Sequence, residues 1–490
     1  MKLPKFLETP LDTLVHHPST EEIEAHLVAL FAKVAANVSA YRDFLQTARI
    51  APDTVQNLAA FQQLPLTTKD NYIRRYPLSQ LCYRGENQGC DFVSASSGST
   101  GEPTFWLRRM EDELEIATRF EQIFHDSFHA ADTPTLAVIC FPLGTWVGGM
   151  YTTNCCRYLA AKGYPLTLVT PGNNKTEILR VVTALAPMYS QTVLLGYPPF
   201  LKDTIDSAIA QGVNWQQYNV KLVMAGEVFS EEWRSLVGER LGATNFCYDS
   251  ASLYGTADAG VLGNETPLSI CIRRWLAQQP EIARELFGAS RLPTLVQYDP
   301  LTRYFEVENG TLLFSGDNGI PLIRYHIADT GGIISYPEML SFLEQKGFNP
   351  FAQPELASGR GIRELPFVYV FGRSQLAISY FGANIYPENV AVGLEQSPIC
   401  DWVTGKFVME IREIGDRNSQ LEIAVELAPN QTGDLDKINA IAASISYHLQ
   451  RLNSEFANYV PESDRIPHIE LKATGDPEYF PIGVKHRYTR

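Results

Sequence analysis

The sequence predicts an α/β protein with two parts: a large N-terminal domain of parallel βαβ units carrying added antiparallel elements, and a small, mobile α+β C-terminal domain. Two observations carry this expectation. Between residues 134 and 251, apolar runs alternate with helical segments, the pattern of parallel strands covered on both faces. After about residue 375 the chain restarts as strand, strand, helix and strand, a unit of roughly 115 residues and so of ordinary domain size.

The elements follow in order. Pro18, Ser19 and Glu22 form a capping-box pattern, and Ile23, Leu27, Leu30, Phe31, Val34 and Val38 then recur at helical spacing, so an amphipathic helix is expected over 19–49. The runs TLAVICF, YPLTLVT, QTVLLGY, VKLVMAGE and TNFCYDS read as strands. NKTEILRVVTAL, FLKDTIDSAIA and SEEWRSLVGERL between them read as helices. YFEVE, Asn309-Gly310 and TLLFS give strand, turn and strand in a favoured hairpin form. In the last part, KFVMEI and LEIAVEL are strands, a helix is expected from about 435 to 456, and HIELKA closes the chain as a strand. A break near 372–376 is the candidate hinge, giving domains 1–373 and 374–490. Neither an internal repeat nor a low-complexity tract occurs.

Composition excludes several function classes. A chain of 490 residues that is 45% hydrophobic supports sizeable cores. Its formal charge of −15 repels nucleic acid and anionic membrane surfaces, while leaving room for a local positive site that binds an anion. The first twenty residues lack an apolar core of signal-peptide length, and the apolar stretch 134–156 is broken by Pro142, Thr145 and glycines. The expected location is the cytoplasm. Cys82, Cys90, Cys140, Cys155, Cys156, Cys247, Cys271 and Cys400 form no C-x-x-C pair and read as reduced, mostly buried thiols. The nine histidines form no H-E-x-x-H or Cys/His cluster, so no structural zinc is expected.

The most informative loop is SASSGSTGEPTFW at 94–106. Its glycines let backbone N–H groups turn inward and its hydroxyls add donors, so it is suited to wrapping a phosphate; a solvated connection is the alternative. G-x-x-x-x-G-K-[ST], G-x-G-x-x-G and G-x-S-x-G are absent.

Residues 96–104, S-S-G-S-T-G-E-P-T, resemble the phosphate loop of adenylate-forming enzymes. Further segments similar to that superfamily follow in order: AGE at 225–227, YGTAD at 254–258, IRYHIAD at 323–329, GRS at 372–374, and Lys485 within PIGVKHR. AYRDFL at 40–45, LPLTTKDNY at 64–72 and GANIYPENV at 382–390 resemble the phenylacetate-CoA ligase-like branch, so the resemblance spans nearly the whole chain.

That resemblance implies ATP-dependent activation of an aryl or medium-chain carboxylic acid through acyl-AMP, with release of pyrophosphate and transfer to a thiol, CoA first among the acceptors. A carrier-protein thiol, an amine or a cofactor hydroxyl is the second reading, and a non-catalytic nucleotide-binding module the third. It implies that Ser96, Ser97, Gly98, Ser99, Thr100 and Gly101 hold the ATP phosphates. Gly226, Glu227, Tyr254, Gly255 and Thr256 fall in the adenine region, with the Tyr254 ring offered to the base. The same resemblance implies that Asp329 takes the ribose hydroxyls with support from Arg373, that Asp258 serves Mg²⁺ directly or through water, and that Lys485 swings in with the small domain to bridge substrate carboxylate and α-phosphate. Phe141, Trp146, Tyr197 and Ala225 border the acyl pocket, or are ordinary core packing, and Val147-Gly148-Gly149 suggests close backbone approach there.

Departures from the family pattern stand out. Glu102 replaces a phosphate-loop lysine, Asp258 a longer glutamate, Gln375 a hinge aspartate and His326 an arginine, and Lys485 follows Gly483 by two positions instead of one. The partner expected is a small-molecule carboxylic acid. A carrier protein and a homodimer stay open.

Overall fold

A computed structural model describes residues 1–85, 89–95, 104–145, 147–289, 292–372, 378–381, 383–414, 418–481 and 486–489. The alternating runs form the parallel half of an eleven-stranded sheet. Leu166–Val169, Thr135–Ile139, Gln191–Gly196, Val220–Ala225 and Ser250–Thr256 lie side by side and parallel. The sheet then continues antiparallel through Gly260–Asn264, Thr294–Gln297, Phe367–Gly372, Leu322–Ile334, Thr311–Gly316 and Tyr304–Glu308.

Successive strand residues face opposite sides of a sheet, and here both sides are covered. Ala137, Ile139, Val193, Leu195 and Val223 join one core with the helices Met110–Gln122 and Val147–Ala161. Leu136, Val138, Leu194, Leu222 and Met224 join another with the helices Lys175–Leu185, Pro198–Ala210 and Glu231–Leu241. Mostly apolar runs are therefore required in the central strands, whose residues meet helices on both faces.

The Asn309-Gly310 hairpin forms as expected, with φ of +52° and +74° at its two central residues. Three local expectations are corrected. TNFCYDS is a helical turn over Phe246–Asp249, and the strand starts only at Ser250. The cause is polar: the Asn245 side chain accepts from Cys247 N, and the Asp249 carboxylate accepts from the N–H groups of Thr244 and Asn245. The expected helix over 19–49 divides into Thr20–Asn37 and Ser39–Thr47, because Val38 is extended and bridges to Tyr83. The late helix ends at Leu452, where Asn453 leaves helical geometry and caps a second helix, Ser454–Tyr459, by accepting from Phe456 N.

Beyond the large sheet, Val403–Ile414 pairs antiparallel with Asn418–Leu427, which pairs parallel with His468–Lys472. The helices Pro387–Leu394 and Leu435–Leu452 cover it around Phe407, Met409, Ile423, Val425, Ile441 and Leu449. This is the α+β unit the sequence implied. The candidate hinge, 373–376, lies outside the described residues.

The two bodies are docked through polar groups. Lys202 Nζ donates to Cys400 O and Val403 O at 3.1 Å each while paired with Asp206 at 2.9 Å. Arg240 joins Asp206 to Asp401, and Ser230 is bonded to Glu395. All eight cysteines are free. Among the described residues, no helix is long and apolar enough to cross a membrane.

Candidate active site

Among the described residues singled out from the sequence, Phe141, Tyr197 and Ala225 lie at the C-terminal ends of parallel strands, where open α/β sheets present ligand sites. Phe141 lies just beyond Thr135–Ile139, Tyr197 just beyond Gln191–Gly196, and Ala225 ends Val220–Ala225. Phe141 and Tyr197 meet edge to face with ring centroids 5.1 Å apart. Beneath them, Gly226 holds φ at +85°, and a Cβ there would sit 2.6 Å from the Tyr197 ring. Only glycine meets both demands. The expected close approach at Val147-Gly148-Gly149 is also present: a Cβ at Gly149 would be 2.3 Å from Pro142 O.

Glu227 follows Gly226 and faces two phenols. Burial, followed by the Glu227 charge, pushes the Tyr197 hydroxyl up to about 12. From the other body, Tyr488 donates its hydroxyl to Glu227 Oε2 at 2.5 Å.

Tyr254 and Asp329, which the resemblance assigned to the adenine and the ribose, are neighbours in the fold. The Tyr254 hydroxyl donates to Asp329 Oδ2 at 2.7 Å, across 75 residues of sequence, and the Tyr254 ring stacks near Phe305 at 6.3 Å and 22°. The strand carrying Asp329 is irregular: Ala328 has φ +68°, and the pairing with Thr311–Gly316 shifts register between Thr311 and Leu313. Such a bulge re-aims a side chain, and here it sets the direction of Asp329. His326, on the same strand, is bonded through Nε2 to Thr311 Oγ1 at 2.9 Å.

Asp258 is 4% exposed and already engaged. Tyr325 donates to its Oδ2 at 2.7 Å, and Lys69 Nζ lies 3.3 Å from its Oδ1. Arg108 donates to the carbonyls of Ala257 and Asp258 and fixes the turn. That turn is tight, since a Cβ at Gly255 would fall 2.6 Å from Gly260 O. Among the described residues there is no group of three or more His, Cys, Asp or Glu that could hold a metal ion. Mg²⁺ needs accessible carboxylate oxygens, whereas here an ammonium group occupies the flank of one oxygen and a phenol the other, so the arrangement does not fit a metal bound directly to Asp258.

Several expected site residues fall outside the described set: Ser96, Ser97, Gly98, Ser99, Thr100, Gly101 and Glu102 of the loop, with Trp146, Arg373, Gln375 and Lys485. The loop's frame is described. Phe92–Ala95 and Phe105–Arg108 pair antiparallel on either side of it, and Ala95 N donates to Thr145 O at 2.8 Å. Sequence reasoning missed Lys69, Arg108, Tyr325 and Tyr488. Lys69, Tyr325 and Tyr488 lie in or near segments that carried the resemblance, yet nothing in their spacing announced their partners.

No family model matches the chain, and no curated protein does. Among solved structures, it is similar to 2-hydroxyisobutyryl-CoA ligase in the postadenylation state in complex with R3-HIB-AMP, with a TM-score of 0.68 at 16% identity over 99% of this chain and 91% of that one. The chain has the fold of an adenylate-forming ligase. The open conformation of the same ligase with 2-HIB-AMP and CoA gives 0.54 at 15% identity over 96% and 91%. Its thioesterification state with those ligands gives 0.51 at 16% identity over 99% and 91%. The expected architecture, a large sheet domain followed by a small α+β unit, is that of these ligases.

Proposed function

We propose that the protein activates a small carboxylic acid with ATP, forming acyl-AMP and pyrophosphate, and then passes the acyl group to a thiol, that of CoA. The observation that carries this reading is the Tyr254–Asp329 pair, held at the C-terminal edge of the sheet beside the Gly226 turn. It supplies a ring for the base and a carboxylate for the ribose hydroxyls, on the fold of an adenylate-forming ligase.

In this reading the acid lies against Phe141, Trp146, Tyr197 and Ala225, and Ser96–Gly101 hold the phosphates. Lys485 supplies the charge that joins substrate carboxylate to α-phosphate, and Arg373 supports the nucleotide. Such preorganised donors act where charge develops, which is the main requirement of adenylyl transfer. Any Mg²⁺ enters with ATP as part of the substrate; Asp258 serves here by holding Lys69 and Tyr325 in place. The small body rotates about 373–376 between the two half-reactions. The higher similarity to the postadenylation state than to the open or thioesterification states supports reading the docked arrangement as the one around acid activation. The phenylacetate-CoA ligase-like segments support an aryl acid, and eight unpaired cysteines support a reducing compartment, the cytoplasm.

The test is carboxylate-dependent pyrophosphate release over a panel of aryl, hydroxy and fatty acids, for the native chain and Lys485→Ala. We expect release from the native chain, a loss of at least a hundredfold in the variant, and unchanged ATP binding by calorimetry. ATP binding with no release from any acid would remove the catalytic reading. Product masses with and without CoA identify the acceptor.

A further inference from the structure

The last described residues return to the site. Met409 N donates to Tyr488 O at 2.7 Å, Thr489 bridges to Met409, and His486 Nε2 is bonded to Phe407 O at 2.8 Å. The Tyr488 ring is gripped by Phe407 at 5.0 Å and His486 at 4.5 Å. Residues 486–489 are thus fixed to the strand Val403–Ile414 of the small body. From this fixed tail the Tyr488 hydroxyl crosses to the large body and bonds Glu227 at 2.5 Å, immediately after the Gly226 turn that seats Tyr197. A phenol donating to a carboxylate at this distance is at the strong end of hydrogen bonding.

We infer that Tyr488 is a positioning residue for acid activation: its bond to Glu227 registers the C-terminal tail against the pocket when the two bodies are docked. The inference rests on the proposed function and deepens it. The bond falls on the residue next to Gly226, which seats the Tyr197 ring of the proposed acid pocket. Other docking contacts, at Lys202, Arg240 and Ser230, hold the helix Pro198–Ala210 and the two ends of Glu231–Leu241. Of these docking contacts among the described residues, Tyr488–Glu227 is the one next to the Gly226 turn that seats Tyr197. Burial raises the Tyr488 pKa well above the ordinary range, and the charges of Glu227, Glu388 and Glu395 add to it, so the hydroxyl stays protonated and a donor.

The experiment is Tyr488→Phe, which removes one oxygen and keeps the ring contacts. Three readouts are taken on the full chain. With the panel acid that turns over fastest, kcat for pyrophosphate release should fall at least tenfold while KM for ATP stays within twofold. Consumption of the corresponding acyl-adenylate, supplied preformed with CoA, should stay within twofold of native. Hydrogen exchange of the amides of residues 226–231 should speed up in the absence of any ligand. Equal loss in both half-reactions, no loss in either, or unchanged exchange overturns the inference. If no acid turns over, the proposed function fails and the exchange readout still decides whether Tyr488 docks the tail.

Discussion

Replacing Lys202 by Met should release the small body without touching the pocket. Lys202 is 2% exposed, and its ammonium donates to Cys400 O and Val403 O, both in the small body, while Asp206 on its own helix balances the charge. Met fills nearly the same volume but donates nothing. Each charge-assisted bond contributes about 1.5–3 kcal/mol net. Two are lost, and part of that is recovered when the undocked carbonyls reach water, so the docked arrangement should weaken by about 2–4 kcal/mol. At 1.4 kcal/mol per factor of ten, that shifts the docking equilibrium by about 30-fold or more. The assay is hydrogen exchange of the amides of residues 399–404, followed with thermal unfolding of the large body as a control. We expect faster exchange at 399–404 with an unchanged transition for the large body. Native-like exchange in Lys202→Met would refute the argument, since it would mean that the two carbonyl bonds do not hold the bodies together.

Two further expectations follow from the same geometry. Burial, the largest influence, raises the Glu395 carboxyl from 4.5 to about 7; the Glu232 charge adds to this, while the bond from Ser230 and the charges of Lys202 and Arg273 oppose it. A carboxyl raised on folding binds more protons in the folded state, so its contribution favours folding below about pH 4.5 and is lost as pH rises to about 7. Glu395→Gln should therefore gain thermal midpoint over native across that window and hold a constant lead above it; a lead that shrinks with rising pH would reverse the sign of the argument. Gly226→Ala places a methyl 2.6 Å from the Tyr197 ring at φ +85°, which costs about 1–3 kcal/mol in strain, and acid-dependent pyrophosphate release should fall at least tenfold with the overall fold retained by circular dichroism.

The parallel half of the sheet was legible because its central strands are buried on both faces and so are mostly apolar, as in Thr135–Ile139 and Gln191–Gly196. The hairpin was legible because Asn309-Gly310 accepts positive φ at both residues. Val38, Asn245 and Asn453 broke expected elements through single side-chain or backbone bonds that periodicity does not register. Tyr254, Asp329 and Glu227 were singled out through the order of motifs, and the fold bonds Tyr254 to Asp329. Arg108, Tyr325 and Tyr488 were not, because their partners lie 149, 67 and 261 residues away along the chain. A pattern read along one segment reports which face a side chain takes, and not which distant group it meets.

The contact between Gly149 and Pro142 O has a consequence for how this fold can diversify. On that side, main chain presses on main chain, and the neighbouring Gly148 lies against the Phe141 ring, so any added side chain at either glycine must displace what it meets. Mutation therefore finds no adjustable wall there. Under the proposed function, changes in preference for one acid over another would have to be written in the size and tilt of the paired rings of Phe141 and Tyr197.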